Sequence, residues 1–237
     1  MERKLTIAID GPAAGGKGTI ALRLAEALGY RYVDTGAMYR AVAWEALRRG
    51  ISWEDEPALA RLAASLDIRF ERVREASSIR YRVVVDGVDV TEDIRRPEVD
   101  HGSSVVAQHP AVRQVLVEKQ RALAAGGGVV MEGRDITTVV LPDADLKFFI
   151  TASLQERARR RYEQRRAAGL EADLAEVEAE LAERDKRDSE RKTAPMRVPR
   201  DAIVLDTTGL TVDRSVAVAL QLVRSRLGDG AEAGIGS

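Results

Sequence analysis

The sequence has 237 residues, 45% hydrophobic and 32% charged, with a formal net charge of −1: enough apolar material for one large domain, and no global field to gather nucleic acid or anionic lipid. It has no cysteine and only two histidines, His101 and His109, which excludes disulfides and thiolate chemistry and leaves little for a zinc site or a Ser-His-Asp relay. No apolar run approaches the roughly 20 residues of a membrane span, and Asp10 interrupts the first apolar stretch too early for a signal sequence, so a cytoplasmic chain is expected.

Short apolar strands alternate with helical stretches, the pattern of an α/β fold built on a parallel sheet. Strands are expected at residues 5–9, 32–33, 128–131, 146–150 and 202–205. Between the first of these, IALRLAEALG and MYRAVAWEALRRG read as helices that stop at Gly29 and Gly50. The segment from Asp67 to Thr91 breaks the rhythm, because IRFERV, IRYRVVV and VDV read as short antiparallel strands with a tight turn at Asp86-Gly87. After Pro97 the chain returns to helix, pauses at His109-Pro110 and runs as helix to a glycine stop near residue 126. The last ten residues, GDGAEAGIGS, lack periodicity and are expected to form a flexible tail.

The first chemistry-bearing motif is GPAAGGKGT, residues 11–19, directly after the first strand and at the start of a helix. Glycines let the backbone fold around an anion with successive amides pointing inward, and the helix adds its positive end. Gly11, Pro12, Ala13, Ala14, Gly15, Gly16, Lys17, Gly18 and Thr19 are therefore expected to hold a nucleotide triphosphate, with Lys17 reaching the β and γ phosphates. The strict motif places Ser or Thr directly after the lysine; here Gly18 intervenes before Thr19, a form carried by small nucleoside monophosphate kinases.

Arginine carries the other signals, since only six of the 37 basic residues are lysine. A helix from about Leu170 has an apolar stripe at Leu170, Leu174, Val177 and Leu181, and the same spacing continues onto Arg184, Asp188 and Arg191. Charges on a buried stripe need partners, so these three either pair with one another or meet a phosphorylated sugar. Upstream, SLQERARRRYEQRR opens with Ser153 and Glu156 in capping-box spacing and sets Arg157, Arg160, Arg161 and Arg165 on one broad face. Two readings stand for that face: a solvated basic surface, or a lid that closes over a triphosphate.

The residues as a set resemble the bacterial cytidylate kinases over about 4–227, through IDGPAAGGKGT, DTGAMYRAVA, DGVDVTEDIR, VAQHPAVRQVLVEKQRA, EGRDITTVVLPDADLKFFITAS, ERDKRDSER and VLDTTGLTV. Two positions depart from the usual pattern: Ala13 where relatives carry serine and Thr137 where they carry glycine. The resemblance implies a P-loop NTPase-type parallel sheet flanked by helices, with an inserted acceptor-binding region containing the antiparallel strands and an arginine-rich helical lid. It places a core at about 4–36, 112–152 and 200–227, the insertion at about 37–111, the lid and following helix at about 153–199 and the tail at 228–237.

It further implies transfer of the γ-phosphoryl group of ATP to CMP or dCMP with Mg²⁺, by a cytoplasmic monomer without nucleic-acid or membrane partners. Lys17, Arg157, Arg160 and Arg161 would be catalytic, and Thr19 would meet the metal directly or through water. Ser104, Arg113 and Asp135 would read cytosine, Arg184 and Asp188 the sugar, and Arg40, Arg134 and Arg191 the acceptor phosphate, with Thr35 and Tyr39 lining the pocket. Cytosine offers a donor at N4 and acceptors at N3 and O2, which a carboxylate, a hydroxyl and an arginine complement. A kinase for UMP or AMP, or an ATP-binding switch without a small acceptor, are the competing readings. The 4% aromatic content and near-zero net charge weigh against a nucleic-acid remodeller.

Overall fold

The computed structural model describes residues 4–74 and 79–232 and divides the chain into two compact units. The first takes the chain up to Tyr32 and again from Gly126 onward; the second is Val33–Ala125. The helix after Pro110 lies in the second unit, where its Val112 and Leu116 join that unit's apolar core.

A five-stranded sheet of order β2-β6-β1-β7-β8 is formed by β1 (Thr6–Asp10), β6 (Val129–Gly133), β7 (Leu146–Thr151) and β8 (Ile203–Asp206) of the first unit and by β2 (Arg31–Asp34), along which the chain passes from the first unit into the second. β1 lies centrally, parallel to β6 on one side and β7 on the other, and β7 is parallel to β8. All five residues of β6 and four of the five in β1 are buried, as expected of strands covered on both faces. Helix α1 (Lys17–Leu28) follows β1 and buries Ile20, Ala21, Leu24 and Ala25 against this sheet before closing on Gly29 in the left-handed conformation. Helix α8 (Val212–Glu232) packs its Val216, Ala219 and Val223 into the same core. It extends through residues expected in the tail as far as 232; residues 233–237 lie outside those described.

Helices α6 (Leu154–Ala167) and α7 (Leu174–Glu190) complete this unit. Ser153 caps α6 by accepting from the Glu156 amide at 3.3 Å, as the capping-box spacing predicts. The stripe expected from Leu170 is shorter than its spacing suggests. Asp173 caps α7 by accepting from the amides of Ala175 and Glu176, so the helix starts at Leu174; Leu170 and Leu174 are 44% and 45% exposed, whereas Val177 and Leu181 are buried beside Ala13 and Ala158. A local cap has overridden the apolar periodicity.

In the second unit α2 (Thr35–Arg48), α3 (Glu56–Ser65), α4 (Pro97–Val106) and α5 (Pro110–Ala124) share one apolar core with a three-stranded antiparallel sheet, β3 (Ile68–Arg74), β4 (Ile79–Val85) and β5 (Val88–Asp89). The β4–β5 turn falls at Asp86-Gly87, both residues at positive φ, as two-residue hairpins require. Helix α3, not anticipated from the sequence, is capped by Asp55, which accepts from the Ala58 amide. Trp53 donates its indole N–H to the Ala43 carbonyl and lies so close to α4 that a Cβ on Gly102 would sit 2.4 Å from its ring.

Candidate active site

The loop between β1 and α1 is built by exclusion of side chains. A Cβ on Gly11, whose φ is +150°, would lie 1.9 Å from the Ile150 carbonyl oxygen, so only glycine allows the loop to cross β7 there. A Cβ on Gly18 would lie 2.9 Å from Glu132 Oε1, and this close approach lets Glu132 of β6 stand beside the loop lysine. No side chain caps α1 and its first turn holds no acidic residue, so its N-terminus presents amides and a positive dipole to the loop.

Lys17 is buried, with Nζ 3.4 Å from the Pro12 carbonyl and 3.6 Å from Glu132 Oε2; the Tyr32 hydroxyl donates to Glu132 Oε1 at 3.0 Å. Glu132 and Tyr32 are absent from the expected set: Glu132 has no signal beyond the EGRD string that also carries Arg134 and Asp135, and Tyr32 reads only as a strand residue. Thr19 is exposed on the first turn of α1.

Two α6 arginines converge on this loop. Arg157, only 6% exposed, donates to the carbonyls of Ala152 (3.0 Å) and Ala13 (3.3 Å) and pairs with Asp185 of α7 at 2.6 Å. Arg160 bonds Glu156 and both the hydroxyl and carbonyl of Thr207, whose own hydroxyl donates to the Gly15 carbonyl at 3.0 Å. The reading of α6 as a solvated basic face is therefore corrected for these two: Arg157 and Arg160 are tied to the phosphate loop, directly or through Thr207. Arg161 is half-buried, and Arg165 pairs with Glu180 instead.

A second cluster in this unit gathers five of the residues expected at the acceptor. Arg134 Nε donates to Asp188 Oδ2 at 2.8 Å, and Arg191 approaches Asp135 at 3.4 Å while its Nε donates to the Ala194 carbonyl. Burial would raise the Asp188 carboxyl, but the charges of Arg134, Arg184 and Arg191 and the Arg134 hydrogen bond outweigh it and hold the group below its ordinary value. The helical spacing of Arg184, Asp188 and Arg191 thus does bring them together, with two residues from EGRD added. Next to them lies a pocket of about 430 Å³ whose lining includes Thr138, Ser189, Arg191, Lys192 and Arg197.

Asp135 is followed by a single π turn, Ile136–Val140. Its start is held by Asp10, the last residue of β1, which accepts from the Ile136 amide at 2.8 Å, the Thr137 amide at 2.7 Å and the Thr137 hydroxyl. Burial pushes the Asp10 carboxyl up to about 6; the Thr137 and Ile136 bonds oppose the shift and the neighbouring Asp135 charge adds to it.

The second unit carries the remaining expected contacts. Thr35 is buried at the start of α2, whose cap Asp34 accepts from the Ala37 amide and pairs with Arg40 at 2.6 Å. Arg113, 3% exposed on α5, stacks over the Tyr39 ring at 5.6 Å and donates to the Ala107 carbonyl; Ser104 is half-buried on α4. Among the described residues no group of three or more His, Asp or Glu is placed to hold a metal.

Residues 7–225 match the family described as cytidylate kinase. A cytidylate kinase of Geobacillus kaustophilus is 50% identical over 228 residues, spanning 96% of this chain and 100% of that protein. One from Symbiobacterium thermophilum is 52% identical over 222 residues, spanning 94% of this chain and 97% of that protein. An uncharacterised protein of Eubacterium ventriosum, solved as a crystal structure, has a TM-score of 0.51 at 12% identity over 94% of this chain and 99% of its own, a likeness of fold. With both the family match and full-length relatives at half identity spanning the phosphate loop and the guanidinium cluster alike, the chain belongs to the cytidylate kinase family.

Proposed function

We infer that the chain transfers the γ-phosphoryl group of ATP to CMP or dCMP, yielding ADP and CDP or dCDP. Beyond family membership, the observation that carries this reading is the cluster of Arg134, Asp135, Arg184, Asp188 and Arg191, an alternation of guanidinium and carboxylate suited to a phosphorylated nucleoside.

Phosphoryl transfer asks a protein to hold donor and acceptor in line, neutralise spreading charge and exclude water. The glycine-loop amides and the α1 N-terminus cradle the donor phosphates, and Lys17 neutralises the transferring group. Arg157 and Arg160 add positive charge at the loop, and the family resemblance gives Arg161 the same role. In the first unit Arg134 and Arg191 take the acceptor-phosphate role, Arg184 and Asp188 the sugar and Asp135 the base; in the second, Arg40 takes a phosphate role, Ser104 and Arg113 a base-reading role, and Thr35 and Tyr39 that of pocket lining. A phosphate oxygen is already ionised at neutral pH, so no general base is required.

The donor set fits Mg²⁺: one exposed hydroxyl, Thr19 on the first turn of α1, and one carboxylate, Glu132 beside the loop lysine, would suit an ion that keeps its waters and binds chiefly to phosphates. When bound, the ion supplies charge neutralisation to the donor phosphates. The reading retains a cytoplasmic monomer; no helix among the described residues is long and apolar enough to cross a membrane.

A coupled assay with ATP and magnesium across CMP, dCMP, UMP and AMP tests this reading. CMP and dCMP should be turned over, with kcat/KM for UMP lower by about tenfold or more, the size of one unmatched buried polar group. Equal turnover of UMP or AMP, or no CDP, would overturn it.

A further inference from the structure

We propose that Asp10 and Thr137 are a positioning pair for acceptor recognition: the β1 carboxylate fixes the turn that presents Arg134 and Asp135, so the choice of base depends on a residue outside the acceptor cluster. The inference rests on the base-reading role given to Asp135 above.

Asp10 is fully buried at the end of β1, and its three bonds all go to the first two residues of the turn after Asp135. A turn of this kind leaves its first amides without internal acceptors. Here Val139 and Val140 donate back to the Asp135 carbonyl and Leu141 to that of Ile136, while the amides of Ile136 and Thr137 go to a carboxylate 126 and 127 positions away. Asp10 thus acts as the cap of a turn that belongs to another strand. The Asp135 carboxylate meeting Arg191 and the Arg134 guanidinium meeting Asp188 leave the chain immediately before the capped amides, so a rotation of the turn displaces both.

An apolar residue at position 10 would avoid burying a charge, and a buried carboxylate is destabilising unless its hydrogen bonds are complete. Asp10 accepts three, one from a side chain: the Thr137 hydroxyl completes the set. The pair acts through Asp135 and Arg134.

The test compares Asp10→Asn, Thr137→Val, Thr137→Ser and Asp135→Asn with the wild type by KM for CMP, KM for ATP and the CMP-over-UMP ratio of kcat/KM. Asp10→Asn should raise KM for CMP and shrink the ratio, each by about tenfold, as expected when a reading group is misplaced, with KM for ATP within about twofold. Thr137→Val keeps the backbone bonds and should produce the same pattern at about threefold, while Thr137→Ser restores the wild-type ratio. A thermal melt of each variant reads folding, and the Thr137→Val and Thr137→Ser variants carry the test if Asp10→Asn does not fold. An unchanged ratio in Asp10→Asn and Thr137→Val beside a shifted ratio in Asp135→Asn overturns the positioning alone. An unchanged ratio in Asp135→Asn overturns the base reading and the positioning with it, as does equal damage to both KM values overturn the positioning.

Discussion

The loop at residues 11–19 and the turn Ile136–Val140 leave the ends of two paired strands, β1 and β6, yet they are held by opposite means. The loop takes its shape by removing side chains: Gly11 lets the backbone pass against Ile150, and Gly18 lets Glu132 come close to Lys17. The turn takes its shape by adding a charge, the buried Asp10 carboxylate, whose three bonds fix its first amides. Steric exclusion is local and tolerates no substitution; capping by a distant carboxylate is graded and can be weakened one bond at a time. Two neighbouring parts of one unit should therefore respond to mutation very differently.

Gly11→Ala attacks the steric side and should have the largest effect, since the added methyl meets backbone rather than a movable side chain: activity should fall by about a hundredfold or more, or soluble protein be lost, read by yield, thermal melt and kcat. Full activity in that variant would break the contrast. Lys17→Ala leaves the loop path intact and removes only charge; kcat should fall by about a thousandfold while CMP affinity, read by calorimetry, changes by less than about threefold. An equal loss of CMP affinity would contradict the separation of donor and acceptor roles. Arg160→Ala breaks the link from α6 through Thr207 to Gly15 and should lower kcat by about ten- to a hundredfold, more than it raises KM for CMP. Arg165→Ala, on the same helix but paired with the exposed Glu180, should leave kcat unchanged and cost less than about 1 kcal/mol of stability in denaturant.

The electrostatic side is sharpened by pH. The Asp10 carboxyl is pushed from its ordinary 3.8 up to about 6 in the folded chain. Between about pH 4 and 6 the folded protein then holds a proton that the unfolded chain has released. The stabilisation this gives is complete below pH 4 and lost as pH rises through 6. The stability of Asp10→Asn should accordingly fall less than that of the wild type across this window, as read by denaturant midpoints; parallel curves would show that the group does not titrate there.

The same contrast governs what the sequence reveals. The glycine loop, the apolar runs of the individual strands and the Asp86-Gly87 hairpin rest on residues a few positions apart, and each is legible from spacing alone; the order of the strands in the sheet, which joins residues as far apart as Thr6 and Val129, is not. Arg184, Asp188 and Arg191 are legible because they lie one helical turn apart. Asp10 and Glu132 are not, since a carboxylate at the end of an apolar strand gives no sign of which amide or ammonium it will meet. Leu170 misleads for the opposite reason: its periodicity is right, but the Asp173 cap begins the helix after it. Nor does an amphipathic helix name the surface it covers: α5 reads as helix from its spacing, and only the structure shows Val112 and Leu116 in the core of the unit Val33–Ala125.

Both tryptophans of the chain, Trp44 and Trp53, lie in the unit Val33–Ala125, the second wedged against Gly102. Intrinsic indole emission is therefore a private optical reporter of that half, while the half bearing the phosphate loop is dark. A melt followed by fluorescence and one followed by circular dichroism need not coincide, and any gap between them measures how far the two halves unfold as one.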